Sequence, residues 1–270
     1  MNDYFLKEIY KSYLLSSVYT DILLHNDCSI ISTGVSVISE IDKKYEPSKA
    51  VSGISAIDST NKKNKKECID LDFFVRKLDN IKSLDELYKE IHCHNLCLLR
   101  NSSTNTVVCD GKKDAEILLI GEAPGEQEDI EMKPFCGKSG KLLRKALNSI
   151  DVSVEKNLYI TNTVFWRPPL NRAPTQEEIN SCLPFVLKQI LLINPKIILL
   201  CGRTAIDSIL RKNDLSMSEL RDGNFSISLD GKLFPIYNLY HPSFLLRSPY
   251  HKKDMWGDLK KIKNAINNFK

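Results

Sequence analysis

Apolar positions fall into two regimes along the chain. In residues 1 to about 80 one helical stripe stands out, roughly Tyr4 to His25, where Phe5, Ile9, Tyr13 and Val18 recur at helical spacing. From about Ser29 to Glu67 the chain turns to Ser, Lys, Asp and Asn, ends in NKKNKKE and keeps no period, which predicts a flexible linker. Order returns near Ser83. SLDELYKEIHC predicts a helix capped by Ser83, with Glu86 three residues on completing an S-x-x-E capping box. AEILLIG (115 to 121) is a short apolar run ending in glycine, as a buried parallel strand does, and KSGKLLRKALNSI (138 to 150) has helical spacing. NLYITNTVFW (157 to 166) predicts a strand, TQEEINSCLPFVLKQILLI (175 to 193) a helix, PKIILLCG (195 to 202) a second buried strand and RTAIDSILRK (203 to 212) a helix. FSISLDGKLFPIYNLYH (225 to 241) reads as β structure, and a last helix is expected over about Lys253 to Asn268.

Strands alternating with helices imply a three-layer α/β/α sandwich around a mainly parallel central sheet, preceded by a helical N-terminal extension. The expected division is 1–80 for the extension and linker and 81–270 for the catalytic-sized domain. In such sheets ligands bind beyond the carboxyl ends of the strands, so the loops after Ile120, Thr161 and Tyr240 are the places to look.

Composition narrows the class. The 270 residues carry 38 Lys and Arg against 34 Asp and Glu, with 42% hydrophobic residues, which excludes a disordered or collagen-like chain. A net charge of +4 is too small to argue for nucleic acid by itself. The N-terminus has no signal-peptide pattern, and the apolar run QILLINPKIILLCG is broken by Asn194, Pro195 and Lys196, so a cytoplasmic protein with reduced thiols is expected among its eight cysteines.

The three loops carry the unusual residues. The first holds GEAPGEQED (121 to 129) and KPFCGKSGKLL (133 to 143), the second TNTVFWRPPLNRAPT (161 to 175) and the third HPSFLLR (241 to 247). Neither G-x-x-x-x-G-K-[ST] nor G-x-G-x-x-G is present, so a nucleotide-cofactor reading loses support.

In order and spacing these segments resemble family 4 of the uracil-DNA glycosylase superfamily, whose pattern is GEAPG-x-x-ED, PF-x-G-x-x-G-x-LL, TN-x4-RPP-x-NR-x-PT and HPS-x-LLR, over roughly residues 93 to 260. The resemblance implies that superfamily's fold and a monomeric, metal-independent enzyme of base-excision repair. Such an enzyme flips uracil out of DNA and hydrolyses its N-glycosidic bond, leaving an abasic site. A catalytically weak uracil-DNA-binding protein of the same fold is the alternative.

Site residues follow from the same resemblance. Phe135 is the platform for the flipped base, with Gly121 and Gly125 letting backbone approach it, and Asn162 reads the uracil edge through one donor and one acceptor. His241 donates to the leaving uracil anion. The water is assigned to Glu128, with Glu122 ordering the loop. Ser139, Gly140, Arg167, Asn171, Arg172, Ser243 and Arg247 are expected on DNA phosphates, and Leu245 or Leu246 in the gap left by the flipped base. Where family 1 enzymes carry an Asp and a Tyr, this chain has Ala123 and Gly125, so another contact must exclude thymine.

Family 4 enzymes usually hold a [4Fe-4S] cluster on four cysteines, and here the pattern departs. Cys97 and Cys182 match, Cys93 stands one residue early, and Trp166 occupies the fourth position. The expectation is a chain without the cluster, with Trp166 filling that volume.

Overall fold

The computed structural model describes residues 77–211 and 214–269; the helix expected over Tyr4 to His25 and the linker after it lie outside them. The first labelled helix, α1 (Leu84–Cys93), starts where Ser83 accepts the Glu86 amide at 3.3 Å. Glu86 closes back onto the Lys82 amide at 2.9 Å, one residue ahead of the cap, so the box is wider than the sequence rule describes. Leu84, Leu87 and Ile91 form the buried face.

Among the described residues six strands follow: β1 (Asp110–Gly111), β2 (Ile117–Gly121), β3 (Leu158–Asn162), β4 (Ile197–Cys201), β5 (Phe225–Leu229) and β6 (Lys232–Leu239). They form one sheet in the order β1-β3-β2-β4-β6-β5, with the inner four parallel and both edges antiparallel. Every residue of β2, β3 and β4 is buried, which is why β2 and β4 read as apolar runs and not as alternations, while β3 buries the polar Thr161 and Asn162 at its end.

The pleat divides them between two cores. Leu118, Ile120, Ile198 and Leu200 point to one face, where they meet α1, α4 (Gln176–Ile193) and α5 (Arg203–Leu210). Ile117, Leu119, Ile197 and Leu199 point to the other, against α3 (Lys138–Asn148) and α8 (Lys252–Asn267). The expected three-layer sandwich is thus the observed one. No helix among the described residues is long and apolar enough to cross a membrane.

The structure differs from the sequence expectation in one strand and in several short elements. Strand β3 ends at Asn162, paired with Gly121, because β2 ends there and the ladder has no partner beyond. Val164, Phe165 and Trp166 leave the sheet and pack into the core below it. Three six-residue helices, α2 (Glu126–Glu131), α6 (Met217–Asp222) and α7 (Pro242–Arg247), are too short to leave a period in the sequence. Among the parallel strands the chain reverses direction of travel between β2 and β4, and a cleft opens over that point.

Candidate active site

The cleft has a volume of about 380 Å³ and draws its walls from all three motif loops. Its floor is built by close approach. A Cβ on Gly121 would lie 2.5 Å from Asn162 Oδ1 and 2.5 Å from the Phe135 ring, so only glycine lets the two side chains converge at the end of β2. Asn162 is 1% exposed, and its Oδ1 is buried without a hydrogen-bond partner among the described residues. A buried acceptor of this kind is costly until a donor reaches it.

Phe135 sits in the left-handed region at φ 53°. Its carbonyl accepts from Arg144 Nε at 2.9 Å, the Pro134 carbonyl from the same guanidinium at 2.8 Å, and Asp110 on the edge strand pairs with it at 2.6 Å. Arg144 thus clamps the platform loop to β1, a role no motif in the sequence signals.

His241 faces Phe135 with ring centroids 6.0 Å apart. It caps α7, and its Nδ1 accepts from the Ser243 amide at 3.3 Å while lying 2.7 Å from the Ser243 hydroxyl. Accepting at Nδ1 leaves the ring proton on Nε2. Burial holds the His241 pKa below the ordinary histidine range against the opposing pull of Glu122, so the ring is neutral at pH 7. Gly202, at φ +95°, ends β4 directly beneath it; a Cβ there would lie 2.9 Å from His241 Cβ. The sequence offered Gly202 only as a strand end.

Three of the acids of the first loop, Glu122, Glu128 and Asp129, have different fates. Glu128 accepts the Gly137 amide at 2.8 Å and the Gly125 amide at 3.2 Å, so both its oxygens tie the loop together. Asp129 is buried on the Thr104 and Asn105 amides. Glu122 binds the Thr204 hydroxyl through Oε2, and its Oε1 has no partner among the described residues. Both acids line the cleft: Glu128 holds two backbone amides there, and Glu122 keeps one carboxylate oxygen without a partner among the described residues.

Other expectations shift likewise. Gly140 is buried, not phosphate-facing: a Cβ there would lie 2.1 Å from the Phe135 carbonyl oxygen, so its absence lets α3 pack under the platform. Arg172 spends its fork on Glu178, at 2.6 and 2.8 Å, which anchors the capped start of α4. Ser243 orients His241. Leu245 is fully buried in the core, because it lies on the inner face of α7, whereas Leu246 is 37% exposed. Arg167 donates to Asn171 Oδ1 at 2.7 Å, and Glu126 approaches it at 3.7 Å. Ser139 and Arg247 line the cleft, and Arg247 has no ion pair among the described residues.

The residues at the cluster position do not fit a four-thiolate cluster. Cys97 and Cys182 are buried near one another, where complete burial pushes the Cys182 thiol up and its hydrogen bond pulls Cys97 down. Trp166 is 1% exposed; its indole N–H donates to Thr106 Oγ1 at 3.0 Å, and it packs against Phe165 and His94. Cys93 is exposed. No group of three or more His, Cys, Asp or Glu residues is placed to hold a metal among the described residues.

Comparison with known proteins agrees with this geometry. Residues 109–260 match the family model of the uracil DNA glycosylase superfamily. The chain is 36% identical over 187 residues to the type-4 uracil-DNA glycosylase of Saccharolobus solfataricus, a stretch covering 68% of this chain and 87% of that protein. To the type-4 uracil-DNA glycosylase of Archaeoglobus fulgidus it is 37% identical over 185 residues, covering 67% and 92%. The corresponding Thermotoga maritima protein is 38% identical over 172 residues, covering 63% and 88%. The chain belongs to the uracil-DNA glycosylase superfamily, and within it groups with the type-4 enzymes.

Proposed function

We propose that this chain excises uracil from DNA by hydrolysis of the N-glycosidic bond. The observation that carries the reading is the unpartnered Asn162 acceptor at the floor of a cleft whose wall presents a neutral histidine N–H.

The steps follow from the residues. A flipped base enters over Gly121 and lies against Phe135, which the Arg144 clamp holds in place. Uracil brings an N3–H to the waiting Asn162 Oδ1, while the Asn162 amide N–H₂ meets O4. Cytosine has no N3–H and offers an amine where uracil has O4, so it leaves the acceptor buried and unpaired and sets donor against donor. As the C1′–N1 bond breaks, its electron pair passes to the ring and negative charge grows on O2. His241 Nε2–H donates there, and a neutral donor already oriented by Ser243 needs no reorganisation. Glu122, fixed by Thr204, orients the water whose oxygen bonds to C1′ and accepts its proton. Uracil leaves as the anion, and an abasic site remains.

Ser139 and Arg247 are the groups at the cleft open to phosphate, and Leu246 is the apolar side chain of α7 available to fill the vacated stack. The reading includes no iron–sulfur cluster, on the strength of the Trp166 packing, and a monomer acting on its own.

The test is incubation with uracil-containing single- and double-stranded oligonucleotides in the presence of chelator, followed by alkali. Strand cleavage at uracil is expected. Intact strands at enzyme excess would overturn the reading.

A further inference from the structure

The loop between β3 and α4 carries a feature the catalytic steps leave unused. Leu170 is 98% exposed and sits in the left-handed region at φ 55°, ψ 23°, and Asn171 beside it has φ 55°. A leucine avoids this backbone region because its Cβ crowds the carbonyl oxygen. Here the conformation gains no apolar burial in return. It is held instead by its surroundings: Asn171 and Arg172 amides donate to the Pro168 and Pro169 carbonyls at 3.1 and 3.2 Å, and Arg167 grips Asn171 Oδ1. The Arg172–Glu178 fork fixes the far end. The chain thus holds the backbone that presents an exposed apolar side chain at the rim of the cleft, where Pro168 and Asn171 are lining residues.

Topology sets where the root of that loop stands relative to α7. The Leu170 loop follows β3 and α7 follows β6, with β2 and β4 between them, so the two rims lie on opposite sides of the cleft. Three strand spacings separate their roots, roughly 14 Å. One base step is about 3.4 Å, so Leu170 and Leu246 cannot enter the same gap. A separation of that size is closer to a groove of roughly 12 Å. We propose that Leu170 is a second apolar probe that packs on the strand opposite the target, making it a residue that acts on duplex DNA and not on single strands. This rests on the uracil-excision reading above and adds to it the form of the substrate.

The experiment compares the full chain with Leu170→Ser and Leu170→Met. Single-turnover excision is measured on a uracil oligonucleotide, single-stranded and annealed, and a duplex carrying 2-aminopurine opposite the target reports unstacking by fluorescence on binding. Leu170→Ser should lose about tenfold in rate on the duplex, in keeping with one lost apolar contact, and less than twofold on the single strand. Leu170→Met should restore most of the loss. The fluorescence rise should be present in the parent chain and absent in Leu170→Ser. Equal losses on both substrates, or none on either, would overturn the proposal. If the parent chain releases no uracil from either substrate, the excision reading fails; the fluorescence arm needs only binding and still decides the role of Leu170.

Discussion

Replacing Asn162 with alanine separates the demands of the fold from those of the reaction. In the free protein Asn162 Oδ1 is buried without a partner, a state that costs about 1–3 kcal/mol for a typical buried acceptor. Deleting the amide removes that cost, and the space left adjoins the cleft, so water can enter it and no sealed cavity forms. The two changes oppose each other, and the melting temperature should stay within roughly 4 °C of the parent or rise. Excision should behave in the opposite way. With the amide gone, the contact that tightens on the departing uracil is lost, and the single-turnover rate should fall by on the order of 10² to 10³, about 2.7–4 kcal/mol of transition-state stabilisation. The assay pairs a thermal melt with quenched single-turnover cleavage at enzyme excess, and DNA affinity should change little because the amide touches no phosphate. Asn162→Ala with near-parental turnover would refute the reasoning. So would a large loss of stability, which would mean that the amide serves the fold.

Three further outcomes are expected. The His241 ring should remain the neutral Nε2–H tautomer at pH 6.5 and above by nitrogen-detected NMR, because burial lowers its folded pKa; since the unfolded chain then binds the proton first, this group favours folding as pH rises and the contribution is lost as pH falls below about 6.5. Titration at or above the ordinary range would contradict the assigned hydrogen bond from Ser243. Glu122→Gln should slow excision at nearly unchanged melting temperature, whereas Glu128→Gln turns an amide N–H₂ toward a backbone N–H of Gly125 or Gly137 and should lower the melting temperature together with the rate; the reverse pattern would return the water to Glu128. Anaerobically purified protein should be nearly colourless, with iron and sulfide well below stoichiometry, and a brown preparation with about four irons per chain, lost on Cys97→Ala, would show that Trp166 does not close the cluster site.

Much of the molecule was legible because local physics writes it plainly. Strands buried on both faces must be continuous apolar runs, so β2 and β4 are visible in ILLIG and IILLC. Helices packed on one face show the helical period, so the run from 175 to 193 is visible as α4, whose start the structure closes with a Thr175–Glu178 capping box. Gly121, Asn162 and His241 come to one sheet edge because each stands at or just beyond the carboxyl end of a parallel strand, and Phe135 joins them where Gly121 leaves room for its ring. What the sequence could not decide was how each polar group spends its hydrogen bonds. Glu122 and Glu128 are equal as letters, and only the packed loop turns Glu128 onto two backbone amides and leaves one Glu122 oxygen without a partner among the described residues. Leu245 and Leu246 are adjacent and identical, yet a six-residue helix too short to show a period puts one in the core and the other at the rim. The Arg144 clamp and the Gly202 support join segments far apart in the chain, and such partnerships arise from tertiary contact alone. Residue type and spacing determined the fold and which residues gather at the site; close packing decided which of them remain free to act there.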